Sequence, residues 1–319
     1  MLFRSDDGRL HALNPADGSS RWTVTTGTGP ATSYTSPVVA PDGTVYCASA
    51  GSRLLAISPT GTVKWTFNTD FIYASPAVAA DGTIYLGVSA PTRRFYALRP
   101  DGTVKWEYIA GDTVSSSAAI GPDGTVYFGC ADRKLYALSA SGELRWSFEC
   151  GGAIRNSSPV VAADGSILIG CLDGRVYHIE GSGAMRRTYC TSHEVRSSVL
   201  LHQGRLYIPS GDYRLYAVET GLVPASSDWP MHRQNLRRSA RVEVPALSFG
   251  VALANQTAAV EEKITFAAGA VGAPPLTHQW FFNGQTLAGA TGATYVIDSV
   301  NHVHRSEERR VGKECRSRW

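Results

Sequence analysis

No stretch of this chain approaches the roughly 18 consecutive apolar residues that a membrane helix needs. Methionine is scarce, at 3 in 319 residues, and long runs of helix-forming residues are missing. None of the six cysteines (Cys47, Cys130, Cys150, Cys171, Cys190, Cys315) lies in a CxxC or in a Cys/His cluster with zinc spacing. Eight histidines are scattered, with no HExxH, and no G-x-S-x-G marks a nucleophile elbow. These absences remove the usual signatures of zinc sites, metalloproteases and serine hydrolases. What is abundant is glycine, with 32 residues, and tyrosine, with 14, which argues an all-β chain.

An excess of positive charge is also missing once the two ends are set aside. Arg305–Trp319 resembles a translated sequencing adapter, and Met1–Ser5 resembles the opposite adapter. Both are expected to lie outside the natural protein and are excluded from fold reasoning. Removing their seven basic and three acidic residues from 30 and 27 leaves 23 and 24, a net charge of −1 instead of +3. The sequence pI near 8.5 therefore gives no reason to expect nucleic acid or a membrane surface as partner.

What is present is a repeat. Asp42-Gly43-Thr44-Val45-Tyr46, Asp81-Gly82-Thr83-Ile84-Tyr85, Asp123-Gly124-Thr125-Val126-Tyr127 and Asp164-Gly165-Ser166-Ile167-Leu168 are four copies of one turn, 39, 42 and 41 residues apart. Trp22, Trp65, Trp106 and Trp146 follow at spacings of 43, 41 and 40. A period near forty with several short strands in it is the mark of a propeller blade. Each unit parses into four strands: a short small-residue run such as Ser158-Pro159-Val160-Val161, a strand after the Asp-Gly hairpin, a third such as Leu135-Tyr136-Ala137-Leu138, and a short fourth at the tryptophan. A blade cannot bury both faces alone, so neighbours must stack. About five complete blades and a half blade are expected over residues 6–221, with the ring incomplete or badly closed.

The spacing Ala-x-x-Pro-x-Gly-x-x-x-Trp, as in Ala56–Trp65 and Ala97–Trp106, resembles the repeat of pyrroloquinoline-quinone-type β-propellers. That resemblance implies that Trp22, Trp65, Trp106 and Trp146 dock each blade on the next. A large ring at one fixed place per repeat agrees with this. The fifth unit carries Arg187 where tryptophan is due, so its seam is expected to be weaker. Quinone-dependent dehydrogenases share the repeat, but their adjacent Cys-Cys pair is not here, and no calcium ligand or catalytic aspartate can be carried over. No catalytic, cofactor-binding or metal-binding residue, and no cofactor, is assigned.

Residues 222–244 have linker composition, and the basic cluster Arg237, Arg238 and Arg241 reads as a solvated face. Residues 245–304 resemble the first strands of a bacterial immunoglobulin-like domain, truncated, with Trp280 as its core tryptophan and the hairpin Asn283-Gly284. The fold class expected is thus all-β: a partial propeller of four-stranded blades followed by an incomplete immunoglobulin-like sandwich.

For the other chemistry-bearing side chains the structural reading prevails. Cys130 and Cys171 share a repeat position, and Cys150 and Cys190 nearly do, so each pair could approach for a disulfide or a metal. Buried free thiols are the expectation. His178 stands where other repeats have alanine and reads as a satisfied structural histidine. The Asp-Gly aspartates are turn formers. The function these features imply is a non-enzymatic, secreted or envelope-associated bacterial scaffold with a protein or glycan partner, part of a larger multidomain chain. The alternative is a quinoprotein dehydrogenase, or an enzyme whose catalytic domain lies elsewhere.

Overall fold

The computed structural model describes residues 2–5, 8–27, 35–49, 52–89, 91–231, 248–251, 263–267, 269–271, 281–282, 285–291 and 294–297. The chain divides into two compact units, 1–242 and 243–319. Among the described residues every regular element is a β-strand, and no helix is long and apolar enough to cross a membrane.

The first unit is a β-propeller of six antiparallel sheets in chain order. Blade 1 holds β1 (Leu2–Ser5), β2 (Arg9–Leu13) and β3 (Ser20–Thr25). Blade 2 holds β4 (Val38–Val39), β5 (Val45–Ser49), β6 (Arg53–Ile57) and β7 (Val63–Asn68). Blade 3 holds β8 (Ala77–Val78), β9 (Ile84–Gly87), β10 (Arg94–Leu98) and β11 (Val104–Ile109). Blade 4 holds β12 (Ala119–Ile120), β13 (Val126–Gly129), β14 (Lys134–Leu138) and β15 (Leu144–Glu149). Blade 5 holds β16 (Val160–Val161), β17 (Ile167–Gly170), β18 (Arg175–Ile179) and β19 (Met185–Cys190). Blade 6 holds β20 (Leu200–His202), β21 (Gly204–Pro209) and β22 (Leu215–Leu222).

Burial explains the sequence pattern. The second and third strands of the complete blades are covered on both faces, as in β9 and β13, and read as nearly continuous apolar runs. The fourth strands alternate, with Lys-Trp-Thr-Phe or Arg-Trp-Ser-Phe placing the ring inward. Each pairing of third and fourth strand carries a β-bulge, between Ala56 and Ile57, Ala97 and Leu98, and Ala137 and Leu138. Just before the bulge an alanine faces the tryptophan: Ala56↔Trp65, Ala97↔Trp106, Ala137↔Trp146. The small residue leaves room for the ring.

The observed blades differ from expectation at both ends. Four sheets have four strands, and the first and last have three, in place of five complete blades and a half. Leu2–Ser5, set aside as foreign, pairs with Arg9–Leu13. The edge of β2 would otherwise present open backbone groups, which any short extended segment nearby can satisfy. In blade 6 the chain after β22 supplies no fourth strand among the described residues. It turns onto the inner strands instead.

That turn corrects the linker reading for residues 222–231. Val223 O accepts from Ala163 N, Ala225 N donates to Val161 O, Trp229 O accepts from Ile120 N, and Pro230 O accepts from Val161 N, at 2.7–2.9 Å. Asp228 Oδ2 accepts from Ala80 N and Ser227 Oγ donates to Ile120 O. Trp229 is 0 % exposed and Met231 is buried. The segment therefore straps the innermost strands of blades 3, 4 and 5. The innermost strand of a blade has a free edge, and this loop-like sequence satisfies it. Arg237, Arg238 and Arg241 lie outside the described residues.

In the second unit, β23 (Ser248–Val251) pairs with β25 (Gly269–Val271), β24 (Ile264–Ala267) with β28 (Thr294–Ile297), and β26 (Phe281–Phe282) with β27 (Gln285–Thr286), all antiparallel. Trp280, residues 305–319 and Cys315 lie outside the described residues.

Candidate functional site: the blade seams and the two ends of the blades

Four devices recur at the seams. The indole N–H of Trp22 donates to Pro59 O, Trp65 to Pro100 O, Trp106 to Ala140 O and Trp146 to Gly181 O, at 2.8–2.9 Å. Each acceptor sits in the third-to-fourth-strand turn of the following blade. The ring lies over a glycine of that turn. A Cβ added at Gly61, Gly102, Gly142 or Gly183 would stand 2.7, 2.7, 2.6 or 2.9 Å from the ring atoms, and all four glycines have φ near +90°. The proline and glycine of the repeat thus serve the tryptophan of the repeat before.

Near the axis, Ser36 N donates to Ser75 Oγ, Ser75 N to Ser117 Oγ, Ser117 N to Ser158 Oγ, and Ser158 N to Ser198 Oγ, at 2.9–3.1 Å. This relay joins five blades in one direction. Its serines recur at the repeat spacing, which is the signal sequence reasoning missed.

The Asp-Gly turns lie at the end of the blades where the first strand turns into the second. Asp42, Asp81, Asp123 and Asp164 each accept from the backbone N–H and the hydroxyl of Thr44, Thr83, Thr125 and Ser166. Each also meets a basic residue of its own fourth strand: Lys64, Lys105, Arg145 and Arg186. Burial pushes these carboxyls up, but the hydrogen bonds and the adjacent cation outweigh it and hold them below the usual carboxylate range. Such exposed pairs are worth about 0–1 kcal/mol each.

At the opposite end lie the second-to-third-strand turns and the connections between blades. Among the described residues each of these turns has one left-handed residue: Gly8, Ser52, Arg93, Arg133, Gly174 and Tyr213. In three blades a tyrosine closes the turn onto its aspartate, Tyr136 to Asp132, Tyr177 to Asp173 and Tyr216 to Asp212. Two of these reach the preceding blade's connection, through Gly111 N to Asp132 and Gly151 N to Tyr177 Oη. Burial raises the Tyr177 phenol to about 12, with the Asp173 bond adding to it.

Blade 5 departs from the repeat as one unit. His178 and Arg187 are direct cross-strand partners, so the usual Ala–Trp pair is a His–Arg pair. His178 is buried. Its Nε2 lies 2.7 Å from Ser166 Oγ, which gives its own proton to Asp164. Nε2 therefore carries the proton and donates, and the buried Nδ1 has no partner among the described residues. This order runs His to Ser to Asp, so the hydroxyl is turned away from nucleophile duty. Burial first, then Arg186, pushes the imidazole pKa down, with Asp164 opposing, Arg187 adding and Glu180 opposing least.

A depressed histidine means that the unfolded chain takes up the proton first. Stability is then lost as pH falls from about 6.5, the unfolded value, through the folded one. His178→Ala, the residue of the sister repeats, is expected to flatten the fall in thermal midpoint between pH 7.5 and 5. The paired aspartates contribute their own loss only lower, below about pH 4. Parallel slopes for variant and parent would refute this.

Cys130, Cys150 and Cys171 are buried free thiols, as expected, and Cys190 is exposed. Cys150 and Cys171 come from blades 4 and 5 and lie in one buried cluster at their seam. Equivalent positions such as Cys130 and Cys171 are a whole blade apart. Cys190 is one residue out of phase with Cys150, which turns it to solvent. A quinone site built on an adjacent Cys-Cys pair does not fit residues in which the meeting thiols come from two different blades within the core.

No curated protein matches the chain. Similar solved structures include BamB from Moraxella catarrhalis, 17% identical with a TM-score of 0.44, the match covering 68% of this chain and 80% of that one. Another is a protein of unknown function from Bacteroides caccae, 14% identical with a TM-score of 0.47, covering 70% and 92%. Residues 6–219 match the family model described as outer membrane protein assembly factor BamB. With that match spanning most of the chain, and with the repeated sheets above, the protein belongs to this family of PQQ-like β-propeller repeat proteins.

Proposed function

We propose that the chain is a non-catalytic scaffold of the bacterial cell envelope whose propeller presents one end of its blades to a protein or glycan partner. The observation that carries this reading is the exposed aromatic surface at the end opposite the Asp-Gly turns. At the Asp-Gly end the four turn aspartates each meet a basic residue of their own blade. At the other end Tyr213 is 103 % exposed in left-handed backbone and Phe71 is 48 % exposed, stacked with Tyr73. Exposed aromatics are what an interface core uses. The family's description as an outer membrane assembly factor supports an envelope setting and a protein partner.

In this reading Trp22, Trp65, Trp106 and Trp146 staple the blades so that the loops at the binding end keep fixed positions. Residues 245–304 are an immunoglobulin-like spacer or adhesion module with Trp280 as its core tryptophan, a reading supported by the antiparallel pairs β24–β28 and β26–β27. The test places a photoreactive amino acid at Tyr213 or Phe71, and as a control at Thr60 or Asp101 on the Asp-Gly end, in cells of the source organism. Discrete adducts from Tyr213 and Phe71 alone are expected. Equal labelling from both ends removes the assignment of the surface. Stoichiometric uptake of pyrroloquinoline quinone with calcium, accompanied by alcohol oxidation, would replace the scaffold by a dehydrogenase.

A further inference from the structure

We propose that Cys150 and Cys171 form a reversible disulfide that covalently closes the seam between blades 4 and 5. Three seams share one geometry. The residue that follows the second strand donates to a carbonyl of the preceding blade's connection: Cys130 Sγ to Asp112 O at 3.3 Å, Cys171 Sγ to Gly152 O at 3.0 Å, Ser210 Oγ to His193 O at 3.2 Å. That carbonyl lies two residues beyond the end position of the connection, which is Ala110, Cys150 or Thr191. In the third seam Thr191 Oγ1 bonds the same His193 carbonyl as Ser210. The two side chains therefore converge on one point. Among the described residues, only the middle seam places thiols at both positions.

Both thiols are buried, in one apolar cluster with Ile154, Ile169 and Tyr177. Each thiol acts on the other, which pulls Cys171 down and pushes Cys150 up, with burial working against the first and with the second. Cys171 is accordingly the attacking sulfur. With a small disulfide as oxidant, Cys171 thiolate attacks one sulfur and releases one thiolate, leaving a mixed disulfide. Cys150, losing its proton, then displaces the second thiolate and forms the Cys150–Cys171 bond. Two protein thiols and one disulfide become one protein disulfide and two small thiols, the two electrons passing to the oxidant. Burial makes the first attack wait for an opening of the seam, so the reaction is slow and the product is shielded from reductant.

The test incubates the full chain with excess oxidised glutathione and then traps free thiols. Trypsin releases Cys150 in Trp146–Arg155 and Cys171 in Asn156–Arg175, and mass spectrometry is expected to find these two peptides linked, and separated by dithiothreitol. Because the bond closes a short loop, the thermal midpoint should rise by about 5 °C or more. Cys150→Ala and Cys171→Val carry the residues of sister blades, Ala110 and Val88, and should fold without gaining the rise. Unlinked peptides, stable glutathione adducts on either cysteine, or the same rise in the single variants would overturn the proposal.

Discussion

Trp229→Ala is expected to lower the unfolding free energy by about 3–5 kcal/mol, the range for emptying a buried tryptophan site. Trp229 is the largest of the fully buried side chains, and it comes from a stretch whose composition is that of a loop. Its ring joins the core of blades 2, 3 and 4, while its carbonyl holds Ile120 N at 2.7 Å. Removing the ring loosens the strap and leaves the inner edges of β12 and β16 without their partners. The indole N–H finds no hydrogen-bond partner among the described residues. Trp229→Phe should therefore keep most of the stability, losing about 1 kcal/mol through the smaller ring. Urea unfolding of both variants checks this. A loss under 1 kcal/mol for the alanine variant would mean that the strap is not docked in solution.

Gly142→Ala should destabilise by about 3 kcal/mol, although it adds a single methyl group. Two effects combine. Residue 142 has φ +89°, where a side chain costs about 1–2 kcal/mol. The new Cβ would also meet the Trp106 ring at 2.6 Å, adding about 1–3 kcal/mol of overpacking. The second part disappears when the ring is gone. In a Trp106→Ala background the same substitution should cost only about 1–2 kcal/mol, and the double-mutant cycle reads the difference directly. Full additivity would show that ring and glycine do not touch.

Both predictions rest on contacts that the sequence carries unevenly. The repeat, its strands and its tryptophans are legible because a forty-residue period and alternating burial leave local marks. The glycine of Ala-x-x-Pro-x-Gly is legible too, but reading within one repeat assigns it to its own turn. Its partner is the tryptophan of the previous repeat. The serine relay is hidden for the same reason, since each bond spans a whole period. Phase decides the thiols: Cys150 and Cys190 look equivalent by eye, and one residue of offset sends one inward and the other outward. The pairing of His178 with Arg187 depends on the β-bulge before Ile179, which composition does not announce. The strap was hardest to foresee, because prolines, serines and an aspartate describe a loop whether it floats or docks.

The serine relay gives blades 3, 4 and 5 two unlike flanks each. A blade donates its backbone N–H to the blade after it and offers its hydroxyl to the blade before it, and the tryptophan and its glycine receptor obey the same polarity. Neighbouring blades thus meet head to tail, by the same logic that lets identical subunits add without limit until a geometry closes them. For a gene this has a specific meaning. Duplicating or deleting one whole repeat unit leaves each remaining donor facing an acceptor, whatever residue the copy begins on. A length change that is not a whole repeat strands a hydroxyl on one side and a ring on the other. The architecture therefore lets evolution change the number of blades far more readily than the length of any one of them.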